Sequence, residues 1–393
     1  MDPTLNPYSP GAGSPPPALV GRDAEIEIIR VAIERLRLGR SEKSFMLTGL
    51  RGVGKTVLLQ EFVDLGLRRH WACELVEASP TMKFQQVVAD VVQRVLLRLS
   101  PAQTLAARAR RALGVLKSFK ITWNLPEMGE VAVGLDPVPG HADSGSLDAD
   151  LAALLIEVGE MAGERGRGFL FALDEVQYLS RKNLGALIAG LHRVHQKQLP
   201  LLLIGAGLPS LPALAAEART YAERLFAFRT INSLGGADAR AALELPAERE
   251  GVVWRPEALD QIVDRTKGYP YFLQEFGKQA WNAAADPGEI TPSAVETALP
   301  IAVDELDRGL FCARTGRATD AEREYLVAMA SLGKGPYASA DVAAKLGKST
   351  RKVGSLRSRL IKKGLCYSLR YGEIDFTVPL FDDFVRRRLA GDD

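Results

Sequence analysis

A glycine-rich loop at residues 49–56 constrains the fold of this chain more than any other feature of the sequence. It follows the pattern G-x-x-x-x-G-K-[ST] and lies between a short apolar stretch and a helical pattern, which is the context that this motif requires. Its glycines let backbone N–H groups turn inward around a phosphate, and the following helix N-terminus adds positive dipole. The predicted phosphate-binding residues are Gly49, Leu50, Arg51, Gly52, Val53, Gly54, Lys55 and Thr56. The alternative is a glycine-rich turn without a ligand.

Polar residues at two places complete the predicted site. In a loop of this kind Lys55 is expected to reach the β- and γ-phosphates of ATP, and Thr56 to ligate Mg²⁺. Residues 168–173 form an apolar strand that ends in Asp174 and Glu175. A parallel strand can deliver Asp174 to the metal and Glu175 to the attacking water at its carboxyl end. The alternative is an ordinary acidic turn, since many strands end in one.

The surrounding pattern predicts an α/β fold. Short apolar strands at 44–48, 73–77, 168–173 and 199–205 alternate with helical patterns, which indicates a parallel sheet with helices on both faces. The 393 residues are too many for one core, so two or three domains are expected.

The domain boundaries follow from changes in composition and periodicity. Residues 1–18 contain six prolines and are predicted to be a disordered tail. The nucleotide-binding domain covers 19–233, a helical lid and linker helix covers 234–317, and a separate terminal unit covers 318–393. An insertion at 81–165 interrupts the first domain. It contains a predicted hairpin at 117–135, with strands at 117–125 and 130–135. A basic stretch at 94–120 leads into this hairpin.

Other classes of protein are disfavoured. The three cysteines are far apart and odd in number, which argues against a disulfide framework or a zinc site. No apolar run reaches the 18 or so residues of a membrane span, so we expect a cytoplasmic protein with no membrane partner.

The terminal unit is strongly basic. Residues 334–370 contain ten Lys or Arg and one acid, whereas the whole chain carries a net charge of only +2. Such a concentration is typical of a surface that binds a polyanion. Three helical patterns followed by two short strands predict a winged helix-turn-helix.

The third helix of this unit defines the surface that faces DNA. Val353, Leu356 and Leu360 form one apolar stripe, which must face the core. The predicted DNA contacts lie on the opposite face and at the wing tip: Arg351, Lys352, Ser355, Ser358, Arg359, Lys362 and Arg370. The alternative is a solvated charged face on a domain that binds a protein partner.

These motifs together resemble the AAA+ ATPases, in the branch of Orc1/Cdc6-type replication initiators and the related signal-transducing STAND ATPases. The resemblance adds Val20, Gly21 and Arg22, in a segment that lies against the adenine, and Gly268-Tyr269-Pro270, where Pro270 begins a lid helix. It also implies that a finger arginine reaches the site of a neighbouring subunit, with Arg224 as the candidate. Arg219 and Arg229 compete with it, and a surface arginine is the further alternative. By its position alone, the resemblance also implies that the insertion with the basic stretch at 94–120 grips DNA or a neighbouring subunit; the alternative is a plain solvated helix.

Two departures from the family pattern predict slow hydrolysis. The fourth strand ends in Gly205-Ala-Gly207 without a polar sensor residue, and Pro270-Tyr271-Phe272 stands where initiators carry a lid arginine. The sequence therefore favours an ATP-binding, Mg²⁺-dependent switch that associates with itself and binds DNA through the winged helix. The alternatives are a STAND-type signalling ATPase whose winged helix contacts protein, and a loader or helper ATPase in replication or transposition.

Overall fold

A five-stranded parallel sheet organises the first half of the chain. The structure, a computed structural model, describes residues 1–11, 13–99, 107–126 and 136–390. The strands have the order β2-β3-β4-β1-β5, and every neighbouring pair is parallel. They are β1 (Ser44–Thr48), β2 (Ala72–Glu77), β3 (Phe169–Asp174), β4 (Leu201–Gly207) and β5 (Phe226–Thr230).

Helices cover both faces of this sheet, because alternate side chains of its strands point to opposite faces. Leu170 and Ala172 of β3 belong to a core shared with the first two helices, whereas Phe169, Phe171 and Leu173 belong to a core shared with the helices of the insertion. The helices are α1 (Asp23–Arg37), α2 (Lys55–Leu67), α3 (Phe84–Leu99), α4 (Ala107–Thr122), α5 (Leu147–Glu164), α6 (Arg181–Gln196), α7 (Leu211–Ala218) and α8 (Ala222–Leu225).

Strand β5 was not predicted. It pairs with β1 along its whole length, from Ser44 opposite Phe226 to Thr48 opposite Thr230. It lies at the edge of the sheet, and only Phe226 among its five residues is buried. An edge strand of this kind lacks the continuous apolar run by which the other strands were recognised.

The predicted hairpin at 117–135 is wrong in its first strand. Residues 117–122 continue α4, and Leu113, Leu116 and Phe119 are fully buried at helical spacing. The alternating pattern came from the last turns of an amphipathic helix, where short windows of the two periods look alike. The second predicted strand, 130–135, lies outside the described residues.

The basic stretch at 94–120 pairs with acids of its own domain. Arg94 and Arg98 contact Glu74, and Arg108 and Arg111 contact Glu157, which is only 5% exposed. Lys120 lies 3.3 Å from an Asp90 carboxylate oxygen. These charges fasten α3 and α4 to the rest of the domain, so they favour the structural interpretation over a DNA grip.

The second half contains a helical lid and a small α/β unit. In the described chain no helix is both long and apolar enough to cross a bilayer. The lid consists of α9 (Gly236–Arg249), β6 (Val253–Trp254), α10 (Pro256–Thr266), α11 (Pro270–Ala283), β7 (Glu289–Ile290) and α12 (Pro292–Glu305), and α13 (Cys312–Thr315) follows it. The C-terminal unit, residues 318–390, consists of α14 (Asp320–Ser331), β8 (Tyr337–Ala338), α15 (Ser339–Lys345), α16 (Thr350–Lys362), β9 (Cys366–Tyr367), β10 (Glu373–Phe376) and α17 (Phe381–Phe384).

The prediction that residues 1–18 form a disordered tail is wrong for the described residues 1–11 and 13–18. Tyr8 is only 3% exposed, and its ring lies between Trp254 and Trp281 of the lid, with centroids 6.3 and 6.5 Å away. Apart from one short 3-10 turn at Pro3–Leu5 the segment has no regular structure, and it is ordered by one buried aromatic anchor and by hydrogen bonds to the lid.

Candidate functional site

The glycine-rich loop connects β1 to α2 at the carboxyl edge of the sheet. Gly52 and Gly54 have φ angles of 89° and 94°, which other residues rarely adopt, and Gly54 precedes the first residue of α2. The glycines therefore set the turn that directs the loop and the helix N-terminus toward one point.

At that point lies an open cavity of about 690 Å³, lined by the loop, the lid, α13 and the N-terminal segment. This is within the roughly 300–1,000 Å³ typical of small-molecule sites. The cavity brings together most of the predicted site: Arg51, Gly52, Val53, Gly54, Lys55, Thr56, Asp174, Glu175, Val20, Arg22 and Pro270. Gly49, Leu50 and Gly21 were also predicted but do not line it.

Lys55 is in place at the base of the cavity. Its Nζ donates hydrogen bonds to the carbonyl oxygens of Gly49 at 2.9 Å and Leu50 at 2.7 Å. Burial lowers the pKa of Lys55 to about 8, against the opposing effect of Glu175 and Asp174. A buried cation held by neutral carbonyls gains more from a negatively charged acceptor, so this lysine is suited to a phosphate.

Thr56 and Asp174 form a pair of oxygen donors beside the lysine. The Thr56 hydroxyl donates to Asp174 Oδ2 at 2.5 Å, and burial raises the pKa of Asp174. Magnesium prefers hydroxyl, carboxylate and phosphate oxygens, so the chemistry of these two side chains fits a magnesium ion held together with a phosphate.

Glu175 is held in an unusual conformation by several partners. Its φ angle is 52°, in the left-handed region that a residue other than glycine seldom occupies. Its carboxylate lies 3.4 Å from Nη2 of Arg51 and accepts a hydrogen bond from the side-chain amide of Gln177. The same Arg51 nitrogen donates to the hydroxyl of Tyr178 at 2.6 Å.

Gln177 supplies a polar group at the end of β4, where the sequence predicted that none was available. Its Oε1 accepts from the Leu208 backbone N–H at 3.2 Å, and a Cβ at Gly207 would lie 2.6 Å from the same oxygen. The small residue at the end of β4 therefore makes room for a glutamine from the next loop. The sequence motifs gave no signal for this substitution.

A cationic wall on the far side of the cavity was also missed. It consists of Arg314, Arg317 and Lys363, which come from the segment after the lid and from the end of α16. Burial lowers the pKa of Arg314 to about 10, and the positive charge of the nearby Arg51 acts in the same direction. Arg314 Nη1 donates to Thr377 Oγ1 at 3.4 Å, and no carboxylate in the described chain forms an ion pair with Arg314.

Arg22 supports the site through the backbone. Its Nη2 donates to the carbonyl oxygens of Val53 at 3.1 Å and Asn232 at 2.6 Å, and the side chain is largely buried. This contact ties the start of the domain to the phosphate-binding loop.

The three candidate finger arginines do not line this cavity. Arg224 is exposed on α8, just before β5 begins, whereas the cavity lies where the parallel strands end. Arg219 pairs with Asp148 and donates to the Gly185 carbonyl oxygen at 3.3 Å. Arg229 is exposed on β5. Arg224 therefore has a free surface position but no contact with the site of its own chain.

The predicted DNA-contacting residues are all exposed in the C-terminal unit. Val353, Leu356 and Leu360 are buried, as predicted. Arg359 and Arg370 form ion pairs with Glu322 and Glu373, respectively. The exposed set is Arg351, Lys352, Ser355, Ser358, Arg359, Lys362 and Arg370.

The sequence model of the family described as "AAA ATPase domain" matches residues 18–204. A second family, described as a domain of unknown function, matches residues 308–385. No curated protein matches the chain.

Solved structures share the fold at low identity. A Walker-type ATPase of Pyrococcus abyssi superposes with a TM-score of 0.57 at 16% identity, over 97% of this chain and 99% of the other. The RuvB Holliday junction branch migration motor of Thermotoga maritima gives 0.46 at 14%, over 90% and 92%. The Orc1 protein of Aeropyrum pernix, in complex with DNA, gives 0.45 at 14%, over 95% and 93%. The family match and the first of these structures confirm the α/β fold that the sequence predicted.

Proposed function

We propose that this chain, whose residues 18–204 match the model of the AAA ATPase domain, is an ATP-dependent switch that binds DNA through its C-terminal unit. The observation that carries the proposal is a single arginine of the phosphate-binding loop, which contacts both the catalytic carboxylate and the C-terminal unit.

That arginine is Arg51. Its guanidinium lies 3.4 Å from the Glu175 carboxylate, and its Nη1 donates to the Gly364 carbonyl oxygen at 3.2 Å. Its backbone N–H donates to the Thr377 carbonyl oxygen, also at 3.2 Å. A phosphate that enters the loop competes for this arginine, so the contacts to the C-terminal unit have different free energies with and without a triphosphate. Such a difference is what a nucleotide-dependent switch requires.

The walls of the cavity support ATP as the nucleotide. Lys55, Arg51 and Arg314 offer positive charge to a triphosphate, and Thr56 and Asp174 would hold Mg²⁺. When bound, Mg²⁺ neutralises charge on the phosphates. Glu175 is the group that orients the attacking water, which requires it to leave Arg51.

The C-terminal unit supports DNA as the second ligand. The elements follow one another as α14, β8, α15, α16, β9 and β10, and the three strands form the antiparallel sheet β8-β10-β9. Three helices combined with a small antiparallel sheet support a winged helix. Among the described residues, no acid forms an ion pair with Arg351, Lys352 or Lys362 on the outer face of α16. Free cations on one exposed helix face are suited to phosphate contacts.

DNA binding should depend on these three free cations. Replacing Arg351, Lys352 and Lys362 by Ala removes about three phosphate contacts, so the slope of log affinity against log salt should flatten by about 2–3. Fluorescence anisotropy with a random-sequence duplex, over a range of salt concentrations, measures this slope. Arg359 is left intact because its ion pair with Glu322 stabilises α14 and α16.

A matched control removes the same charge elsewhere. Arg40, Arg165 and Arg167 are exposed and lie before β1 and β3, at the edge of the sheet opposite the cavity. Their triple Ala variant should keep the wild-type slope. If the α16 variant also keeps it, the basic face is only solvated and the C-terminal unit is better explained as a protein-binding module.

Arg224 could take part in ATP hydrolysis if the protein associates with itself. Since Arg224 does not reach the cavity of its own chain, it can act only on the site of another copy. We therefore propose that hydrolysis is completed between subunits, with Arg224 stabilising the charge of the transition state.

A further inference from the structure

The lid places a buried tyrosine against the phosphate-binding loop. Tyr269 immediately precedes α11, lines the nucleotide cavity and is only 1% exposed. A Cβ placed on Gly52 would lie 3.0 Å from Cε1 and 3.2 Å from the hydroxyl oxygen of this tyrosine. The hydroxyl end of the ring therefore lies beside the backbone of the loop.

Contacts other than the hydroxyl hold the ring in this position. The Tyr271 backbone N–H donates to the Gly52 carbonyl oxygen at 3.3 Å, which ties the lid to the loop. The Tyr269 ring packs on Phe272 of α11, with the ring centroids 4.7 Å apart. The hydroxyl is thus not needed to dock the lid on the loop.

The Tyr269 hydroxyl has no hydrogen-bond partner among the residues that the structure describes. The Tyr8 hydroxyl, which is buried against the same lid, donates to the Leu243 carbonyl oxygen at 2.5 Å and accepts from Trp254 Nε1 at 2.7 Å. A buried hydroxyl without a partner costs free energy, and native proteins keep such groups rare. The unpaired hydroxyl at the cavity is therefore best explained by a ligand that accepts its proton in a hydrogen bond.

The groups around this hydroxyl suit an anion. Arg314 and Arg51 are close enough that their positive charges oppose the rise in the pKa of Tyr269 that burial causes. Because the hydroxyl keeps its proton at neutral pH, it can donate to an anionic oxygen. Nε of Arg51 is also buried without a partner in the described chain, where Arg314 forms no ion pair with a carboxylate. A phosphate oxygen is an acceptor that suits all three donors.

We infer that the Tyr269 hydroxyl donates a hydrogen bond to a phosphate oxygen of the bound nucleotide. This inference rests on the proposed nucleotide site. It assigns to the lid a direct share in binding the phosphates, in addition to the loop and the cations. Since the hydroxyl is covered in the free protein, phosphate entry must also displace side chains around it, of which Arg51 is already proposed to move.

Calorimetric titration of the full-length protein tests the inference with two ligands, a non-hydrolysable ATP analogue and inorganic tripolyphosphate, each with Mg²⁺. Tyr269→Phe removes only the hydroxyl oxygen, so the ring keeps its packing. The variant should weaken both ligands by the same factor, about tenfold to 30-fold, because a hydrogen bond to a charged acceptor is lost. Tyr325→Phe is the matched control: Tyr325 is a buried tyrosine of α14 that does not line the cavity, and its variant should bind both ligands as the wild type does.

Two outcomes of this titration would overturn the inference. One is wild-type affinity of Tyr269→Phe for both ligands, which would leave the hydroxyl without a role in binding. The other is a loss confined to the ATP analogue, which would place the hydroxyl on the nucleoside instead of the phosphates. Lys55→Ala separates the inference from the site itself, since it should weaken both ligands. If Lys55→Ala weakened neither, the nucleotide site would be wrong and not merely the role of Tyr269.

Thermal unfolding gives a readout that a purely structural role of the hydroxyl would move in the opposite direction. Because the hydroxyl has no partner in the described free protein, Tyr269→Phe without ligand should unfold at the wild-type temperature or above it. At one fixed concentration of Mg²⁺ and tripolyphosphate, the variant should gain less stability than the wild type. A free variant that unfolds below the wild-type temperature, together with an unchanged gain from the ligand, would contradict the inference.

Discussion

Replacing Glu175 by Gln is expected to stop ATP hydrolysis while leaving ATP bound. The amide has nearly the same shape but cannot accept a proton from the attacking water, so turnover should fall by about 10²–10⁴-fold. The cradle for the phosphates, formed by the loop and Lys55, is unchanged by this substitution. Steady-state phosphate release and calorimetric ATP titration on the same preparations measure the two effects.

The same assay tests whether the site is shared between subunits. The rate per subunit should rise with protein concentration, and Arg224→Ala should remove only the part that depends on concentration. Arg167→Ala, which changes an exposed arginine just before β3, is the control, and Arg229→Ala tests the competing candidate on β5. A rate per subunit that is constant on dilution would contradict a shared site, and a Glu175→Gln protein with wild-type turnover would contradict the assignment of Glu175.

Replacing Lys55 by Ala is expected to weaken ATP binding by about 2–4 kcal/mol, or roughly 30- to 1,000-fold. With a pKa of about 8, most Lys55 side chains are charged at pH 7, and the variant leaves the buried phosphates without this cation. Calorimetric titration with ATP and Mg²⁺ measures the loss.

Lys43→Ala is the matched control. Lys43 is an exposed lysine just before β1, at the opposite end of that strand from the loop, and its removal should leave affinity unchanged. Equal affinities of the wild type and Lys55→Ala would contradict the site.

The parts of the fold that follow from local pattern were predictable. Strand β1 has the bounds that its apolar run predicted, and Gly52, Gly54 and Lys55 lie where the motif requires. In these segments the structure is determined by the spacing of apolar residues or by glycines that the turn requires. Both can be recognised from neighbouring residues in the sequence. The apolar stripe of α16, with Val353, Leu356 and Leu360 buried, is a further example.

The features that were missed depend on contacts between distant segments. Tyr8 is ordered by tryptophans about 250 positions away, and Arg51 meets Gly364 and Thr377 across more than 300 positions. Composition alone predicted that residues 1–18 are disordered, because the pattern within a segment carries no information about the distant residues that bury it. The polar contact of Gln177 at the end of β4 was missed for the same reason, because its side chain lies beside Gly207 only in the folded structure.

Arg51 makes contacts in the site that the sequence motifs do not predict. Within the loop pattern it occupies a position where any residue is allowed. In the structure its guanidinium contacts Glu175, Tyr178 and Gly364. The motif thus predicts where phosphates bind, whereas the link between the site and the C-terminal unit is visible only in three dimensions.

The most direct test of the switch is DNA affinity measured in two nucleotide states. Fluorescence anisotropy with one duplex at fixed salt should show wild-type affinities that differ by about tenfold or more between Mg·ADP and a non-hydrolysable Mg·ATP analogue, within the 5- to 150-fold range of typical couplings. Arg51→Ala should reduce this ratio to within about twofold, while both nucleotides still bind. Equal wild-type affinities in the two saturated states would contradict the proposal that nucleotide state controls DNA binding.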